Sequence, residues 1–237
     1  MKGKQIVYIG DSSMSYVIKR MAVAKANGYI RRGVFSNEIV WGKKSYIFSP
    51  LPTKKKKIFY KGMFLFGMVR KDAKLWLRNN TVKLPKKYPS VEYSKSKTSE
   101  DLSGTIAGTD LNHAYWRIAF NLGIISSLTY VKGLPDEFKS VRLAALSTMG
   151  SKKKYQKIQK GVITDDYYLE KGDEELQKVY TLIRYTCYKY MARVKKMLGT
   201  DFLAYKTDAI YYMNTRENKK LVREFFKEND LLMKQLT

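Results

Sequence analysis

Apolar and polar residues alternate near the start of the chain in patterns that predict short strands and one helix. Residues 5–9 suit a strand, and the small polar residues after them suit the start of a helix over 14–27. From 29 to 77, aromatic and β-branched residues interrupted by Gly, Pro and Lys predict an antiparallel meander. Its expected strands lie near 29–35, 38–48, 58–69 and 73–77.

Helical periodicity is clearer in the second half of the chain. Apolar side chains form one continuous stripe over 174–198, which predicts the longest helix. A further helix is expected just after Pro135, because proline and the acids that follow it suit a first helical turn. A last short helix is expected around 221–226, where apolar residues recur at helical spacing.

Residues 84–103 separate these two halves. They are rich in Lys, Ser, Pro and Tyr and have no apolar periodicity, so they are expected to form a linker or a long surface loop. The chain then divides into a strand-rich α+β region over 1–83 and a second domain over 104–237. The predicted fold class is α+β, with an antiparallel sheet backed by helices and a small N-terminal α/β region.

Two aspartates follow apolar segments that suit strands. Asp110 ends a stretch that begins at Thr105, and Asp208 lies in a polar break between two apolar runs, which predicts a hairpin with the acid at its turn. Taken alone, Asp208 is more typical of an ordinary turn residue. Two carboxylates at the ends of neighbouring strands, however, are what a site for two Mg²⁺ ions roughly 4 Å apart requires.

Three segments resemble the motifs of family B DNA polymerases, in the order that the family has them. Asp110-Leu-Asn-His-Ala-Tyr115 resembles motif A, and its Asp-x-Asn start is closest to the protein-primed branch. Arg142-Leu-Ala-Ala-Leu-Ser147-Thr-Met-Gly150 resembles motif B, with the basic residue, serine and glycine in register. Tyr205-Lys-Thr207-Asp208-Ala resembles motif C and keeps its tyrosine, threonine and second aspartate.

This resemblance implies a polymerase palm that synthesises DNA on a primer-template from deoxynucleoside triphosphates. It makes Asp110 and Asp208 the catalytic residues and the ligands of two Mg²⁺ ions. Tyr115 would then exclude ribonucleotides, and Arg142 would replace the motif B lysine. Lys139 falls on the same face of the predicted helix as Arg142, so that two cations can face a triphosphate. The expected nucleotide-binding residues are Leu111, Asn112, Tyr115, Lys139 and Arg142.

The chain also departs from the family pattern at three positions. Lys206 stands where motif C usually has its first aspartate, while Leu146 and Met149 replace an asparagine and a tyrosine of motif B. The sequence between motifs A and B is short, and little follows motif C. The resemblance therefore implies a palm with minimal fingers. It also implies additional polymerase subunits as partners, which would supply fingers, thumb or exonuclease.

Charge favours a nucleic acid partner. The chain has 46 Lys and Arg against 21 Asp and Glu, a net charge of +25, and such a balance favours polyanions because each neutralised phosphate releases counterions. A basic stretch over 151–160 is expected to follow a primer-template backbone. Its candidate nucleic-acid-binding residues are Lys152, Lys153, Lys154, Tyr155 and Lys157.

Composition excludes several other classes of site. Cys187 is the only cysteine, so an internal disulfide is impossible and an intracellular setting is expected. With one Cys and one His, a Cys/His zinc site is excluded. No apolar run approaches the ~18 residues of a spanning helix, so no membrane association is expected.

Two other functions fit parts of the sequence. Gly10-Asp11-Ser12 resembles the nucleophile block of GDSL-type esterases, and Asp110-Leu-Asn-His113 matches their Asp-x-x-His pattern. Against an esterase, that pattern lies far from the chain end and the large positive charge has no use in ester hydrolysis. The other alternative is a non-catalytic nucleic-acid-binding protein with a degenerate palm, which the replacements at Lys206 and Leu146 favour.

Overall fold

The computed structural model describes residues 5–8, 14–33, 36–48, 53–85, 105–151, 153–170 and 172–236. The strands in this part of the chain are β1 (Gln5–Tyr8), β2 (Gly28–Arg31), β3 (Asn37–Trp41), β4 (Lys44–Phe48), β5 (Ile106–Leu111), β6 (Lys153–Gln159), β7 (Val162–Glu170), β8 (Phe202–Lys206), β9 (Ala209–Met213) and β10 (Met233–Leu236). The helices are α1 (Met14–Val23), α2 (Thr53–Gly62), α3 (Phe64–Asn79), α4 (Ala114–Asn121), α5 (Ser127–Gly133), α6 (Lys139–Gly150), α7 (Glu174–Leu198) and α8 (Arg216–Glu228). None of these helices combines the length and the apolar composition that a membrane span requires.

The α+β class predicted from the sequence is confirmed, and the chain forms two compact units. Unit 1 comprises Met1–Lys61 and Ser151–Glu174, and unit 2 comprises Gly62–Gly150 and Glu175–Thr237. These units differ from the predicted domains over 1–83 and 104–237. The difference arises because β6 pairs with β2, so that a hairpin from the middle of the chain completes the sheet of unit 1. Most of the predicted linker, 86–103, lies outside the described residues.

Unit 1 contains a six-stranded sheet in the order β1-β4-β3-β2-β6-β7. Its pairings are antiparallel except for β1 with β4. One face is covered by α1, whose Val17 and Met21 are buried against sheet residues that include Ile30, Ile39 and Ile158. The predicted strand over 5–9 and helix over 14–27 are thus confirmed, although the helix ends at Val23.

The meander expected over 29–77 is only half correct. Strand β2 occurs where a strand was expected, but the single strand predicted over 38–48 is in fact the antiparallel pair β3 and β4. The strands predicted near 58–69 and 73–77 are wrong, because this region forms α2 and α3. In α3 the buried residues Leu65, Val69 and Ala73 recur every fourth position, which is helical spacing. The high content of aromatic and β-branched residues outweighed that spacing in the prediction.

Unit 2 contains a four-stranded antiparallel sheet in the order β10-β5-β9-β8. The predicted helix over 174–198 is confirmed as α7, and its buried stripe includes Val179, Ile183 and Cys187. Tyr190 of α7 and Phe225 of α8 are in edge-to-face contact, with their ring centroids 6.1 Å apart. The Cys187 thiol also lies 3.8 Å from the carbonyl oxygen of Thr207, in the turn between β8 and β9. The long helix therefore supports the turn that carries Asp208.

A carboxylate within unit 1 organises the sheet face opposite α1. Glu38 accepts hydrogen bonds from the Ser45 hydroxyl at 2.9 Å, the Tyr155 hydroxyl at 3.0 Å and Arg31 Nε at 3.3 Å. Burial opposes ionisation of Glu38, but the hydrogen bonds and the charge of Arg31 together lower its pKa below the ordinary value of 4.5. These contacts join β2, β3, β4 and β6 through one side chain.

Replacement of this carboxylate should destabilise unit 1 in a pH-dependent way. Because its pKa is lowered in the folded state, ionised Glu38 stabilises the fold above the pKa of the unfolded chain, and the effect is lost as the pH falls through the folded pKa. Glu38→Gln should therefore lower the free energy of unfolding by about 1–3 kcal/mol at neutral pH. The loss should shrink below about pH 4.5, as measured by denaturant unfolding over a pH series. Asp166→Asn, at an exposed position of β7, is the control, and an equal loss at every pH would contradict the assignment.

Candidate active site

The pairing of β5 with β9 brings two carboxylates together. Asp110 is the penultimate residue of β5 and pairs in register with Ala209, the first residue of β9. Asp208 lies one position earlier, in the turn between β8 and β9, and its carbonyl oxygen accepts a hydrogen bond of 3.0 Å from the Leu111 amide. The predicted hairpin with an acid at its turn is therefore confirmed, and the two aspartates lie on adjacent strands and line one pocket.

The turn that carries Asp208 holds an unfavourable backbone conformation. Thr207 has a φ of 59°, in the left-handed region that favours glycine and that a β-branched residue rarely adopts. Such conformations persist where the surrounding structure enforces them, and they are concentrated at functional sites. Here the pairing of β8 with β9 and the contact of Cys187 with the Thr207 carbonyl enforce it.

The two carboxylates repel each other in a partly buried setting. Burial raises the pKa of Asp208, and the nearby charge of Asp110 raises it further. Burial also raises the pKa of Asp110, while the charges of Lys139 and Lys234 oppose that shift. A cation bound between the carboxylates would remove the repulsion that these shifts express.

Around the aspartates lies a pocket of about 90 Å³. Its lining includes the residues that the sequence assigned to catalysis and nucleotide binding: Asp110, Leu111, Asn112, Tyr115, Lys139, Arg142 and Asp208. Pockets that enclose whole small ligands have volumes of about 300–1,000 Å³. The pocket therefore has room for ions and part of a triphosphate, whereas the base of a nucleotide would lie outside it.

Arg142 has structural contacts that the sequence did not indicate. The side chain is 1% exposed. Its Nη1 donates hydrogen bonds to the carbonyl oxygens of Gly133 at 2.8 Å, Leu134 at 3.2 Å and Pro135 at 3.2 Å, and its Nη2 contacts the His113 ring. Arg142 thus satisfies carbonyls at the C-terminal end of α5, where a cation also interacts favourably with the helix dipole.

Lys139 is the more accessible of the two predicted triphosphate-binding cations. It is the first residue of α6, it is exposed, and its charge opposes the burial that raises the pKa of both Asp110 and Asp208. To contact a nucleotide as predicted, Arg142 would need an N–H group that is not already bonded to the backbone carbonyls. Lys139 has no such competing bond among the described residues.

The ring of His113 contacts the guanidinium of Arg142. Its backbone adopts a left-handed conformation with a φ of 57° just before α4, and burial together with the charge of Arg142 lowers its pKa. The residues Gly10, Asp11 and Ser12, on which the esterase alternative depends, lie outside the described residues.

Tyr115 is held against the pocket by α7. It is partly buried beside Tyr188, whose hydroxyl accepts a hydrogen bond of 3.1 Å from Arg184. Burial raises the pKa of Tyr115, and the neighbouring Cys187 and Tyr188 raise it further. Neither Tyr188 nor Arg184 was predicted from the sequence, although their four-residue spacing puts them on one face of the helix.

The predicted nucleic-acid-binding stretch forms β6, in unit 1. Tyr155 is 5% exposed and stacks on Tyr168 with ring centroids 5.0 Å apart, so its ring cannot stack on a base. Lys153 pairs with Glu170 at 3.2 Å, and the Lys154 ammonium lies 3.8 Å from the centroid of the Tyr167 ring. Contact with nucleic acid stays a prediction for Lys153, Lys154 and the partly buried Lys157. Lys152 lies outside the described residues.

The donors at the acid pair suit Mg²⁺ bound together with a substrate. Within the described segments, no group of three or more His, Cys, Asp and Glu side chains could hold a metal ion. Magnesium, however, keeps several water ligands and commonly uses one or two carboxylates plus substrate phosphates. Asp110 and Asp208 meet that requirement, and their mutual repulsion favours a cation.

Removal of Arg142 should test its structural role. Arg142→Met leaves three backbone carbonyls without their donor and should lower the free energy of unfolding by about 2–4 kcal/mol. Lys139→Met, at an exposed position of the same pocket, should leave stability nearly unchanged. Thermal and denaturant unfolding of both variants measure the difference. Equal stability of the two variants would show that Arg142 is free to serve a ligand instead.

The chain was compared with known families, curated proteins and solved structures. No protein-family model, no curated protein and no solved structure matches it. What the site does is therefore inferred from the chemistry and geometry of its own residues.

Proposed function

We propose that the protein is a template-directed DNA polymerase that transfers nucleotides from deoxynucleoside triphosphates to a primer 3′-hydroxyl. The observation that supports this most strongly is the register of β5 against β9. In this register Asp110 pairs with Ala209, the residue that follows Asp208. Further support comes from Lys139 and Tyr115, which line the same pocket. A net charge of +25 suits a nucleic acid substrate.

Each residue of the pocket has a distinct part in this reaction. Asp110 and Asp208 would hold the two Mg²⁺ ions, which when bound lower the pKa of the primer hydroxyl and neutralise the triphosphate. Lys139 presents a compact positive charge to the triphosphate. The ring of Tyr115, beside Tyr188, limits the volume beside the nucleotide sugar.

Loss of either carboxylate should abolish synthesis. Asp110→Asn and Asp208→Asn preserve side-chain shape but remove a charged ligand, so the rate should fall by about 10³-fold or more, since such groups supply several kcal/mol. Primer extension on a DNA template with Mg²⁺ measures the rate, and titration with the same primer-template should show unchanged affinity.

An exposed acid outside the pocket provides the control. Asp166→Asn changes the net charge equally and should retain full activity. The polymerase proposal would be contradicted if both pocket variants extended primers. It would also be contradicted if the wild-type protein bound primer-template but did not extend it.

Tyr115 should determine the choice of sugar. Tyr115→Ala opens space for a 2′-hydroxyl, so ribonucleotide incorporation should rise by about 10- to 100-fold, with little loss of deoxynucleotide incorporation. Tyr188→Phe keeps the ring of Tyr115 but removes the neighbouring hydroxyl, and a smaller gain is expected. Competition between the two nucleotide types in primer extension measures the effect. If the wild type incorporated ribonucleotides as fast as deoxynucleotides, Tyr115 would not determine the choice of sugar.

A non-catalytic nucleic-acid-binding protein is the second candidate. It is favoured by Lys206, the last residue of β8, which stands where the motif C pattern has a further acid. It is also favoured by the lack of a three-residue metal-ligand group within the described segments. Nucleotide incorporation distinguishes the two candidates, because a binding protein retains affinity for nucleic acid without any turnover.

A further inference from the structure

Four cations share one face of α8, in unit 2. Their spacing of three, four and seven residues puts them on a single helical face, while Val222, Phe225 and Phe226 are buried on the other side of the helix. They line an open groove of about 510 Å³, together with Asn214 and Glu224. The four residues are Arg216, Lys219, Lys220 and Arg223.

This arrangement concentrates positive charge on one face of α8, although Glu217 in the first turn and Lys227 in the last turn suit the helix dipole. Like charges three and four residues apart repel, and cations near a helix N-terminus oppose the helix dipole. Lys220 has an acidic neighbour, Glu224, at 3.9 Å. Among the described residues, Arg216, Lys219 and Arg223 have no carboxylate partner. The folded chain thus retains an uncompensated cluster that an anionic ligand would stabilise.

The groove lies at the end of the sheet remote from the acid pair. Strand β9 begins at Ala209, beside Asp208, and ends at Met213. The next residue, Asn214, donates its amide to the Thr105 carbonyl at 2.8 Å, just before β5 begins. Five strand residues span roughly 15 Å. The basic groove is therefore a separate site from the pocket around the aspartates.

We propose that this groove binds the phosphodiester backbone of a nucleic acid strand. The four cations extend over about 10 Å of helix, which matches roughly three successive phosphates of one strand. An open groove suits a polymer that enters and leaves at both ends, whereas a free phosphate or nucleotide would be better held in an enclosed pocket. Binding here requires neither metal nor nucleotide, so it does not rest on the polymerase proposal.

Neutralisation of two groove cations tests this site. Lys219→Gln/Arg223→Gln is compared with Lys71→Gln/Lys227→Gln, which removes the same charge from exposed positions outside the groove. Fluorescence anisotropy with labelled single-stranded and duplex DNA gives Kd over a range of salt concentrations. The slope of log Kd against log salt should fall by about 1.4 for single strands or about 1.8 for duplex in the groove variant, and should stay at the wild-type value in the control.

Further measurements make the outcome unambiguous. The groove variant should unfold at the same or a higher temperature than the wild type, because the substitutions relieve repulsion, and Asp166→Asn, at an exposed position outside both sites, should bind DNA as the wild type does. Inorganic phosphate at constant ionic strength should not compete with DNA. Equal changes of slope in the groove and control variants, or full competition by phosphate, would overturn the proposal.

Discussion

The candidate site depends on the antiparallel register of β5 against β9. A shift of one residue would turn the Asp110 side chain to the opposite face of the sheet and away from Asp208. Buried contacts oppose that shift: the hydroxyls of Thr109 and Tyr212 lie 2.9 Å apart across the two strands. On the other edge of β5, a Cβ at Gly108 would lie 3.1 Å from the Leu236 side chain, so a larger residue there would push against β10.

A second constraint comes from α7, which reaches three parts of unit 2 within four residues. Cys187 contacts the turn that carries Asp208, Tyr188 lies beside Tyr115, and Tyr190 packs on Phe225 of α8. Because protein interiors are close-packed, a shift of this helix would be transmitted to all three contacts. Helix α7 thus couples three parts of unit 2: the acid pair, the side of the pocket formed by Tyr115, and the helix that bears the basic groove.

Local sequence patterns predicted the parts of the site that depend on short segments. The hairpin around Asp208 and the helix α7 follow from apolar spacing, and the motif order suggested that Asp110 would lie nearby. Partners distant in sequence were not predictable in this way. Arg142 looked like an exposed cation because nothing in its own helix indicates that the carbonyls of α5 surround it, and Tyr155 looked accessible because its burial depends on pairing of β6 with strands far away along the chain.

The interleaving of the two units has a consequence for biosynthesis. Strand β2 pairs with β6 through Gly28 and Ile158, so the sheet of unit 1 cannot close until the ribosome has also made residues 62–150, which belong to unit 2. At roughly 5–20 residues per second this delay is on the order of ten seconds. During that time the β2 edge is open to pairing with other chains. A nascent polypeptide of this kind would gain from a chaperone that shields the edge until the hairpin of β6 and β7 emerges.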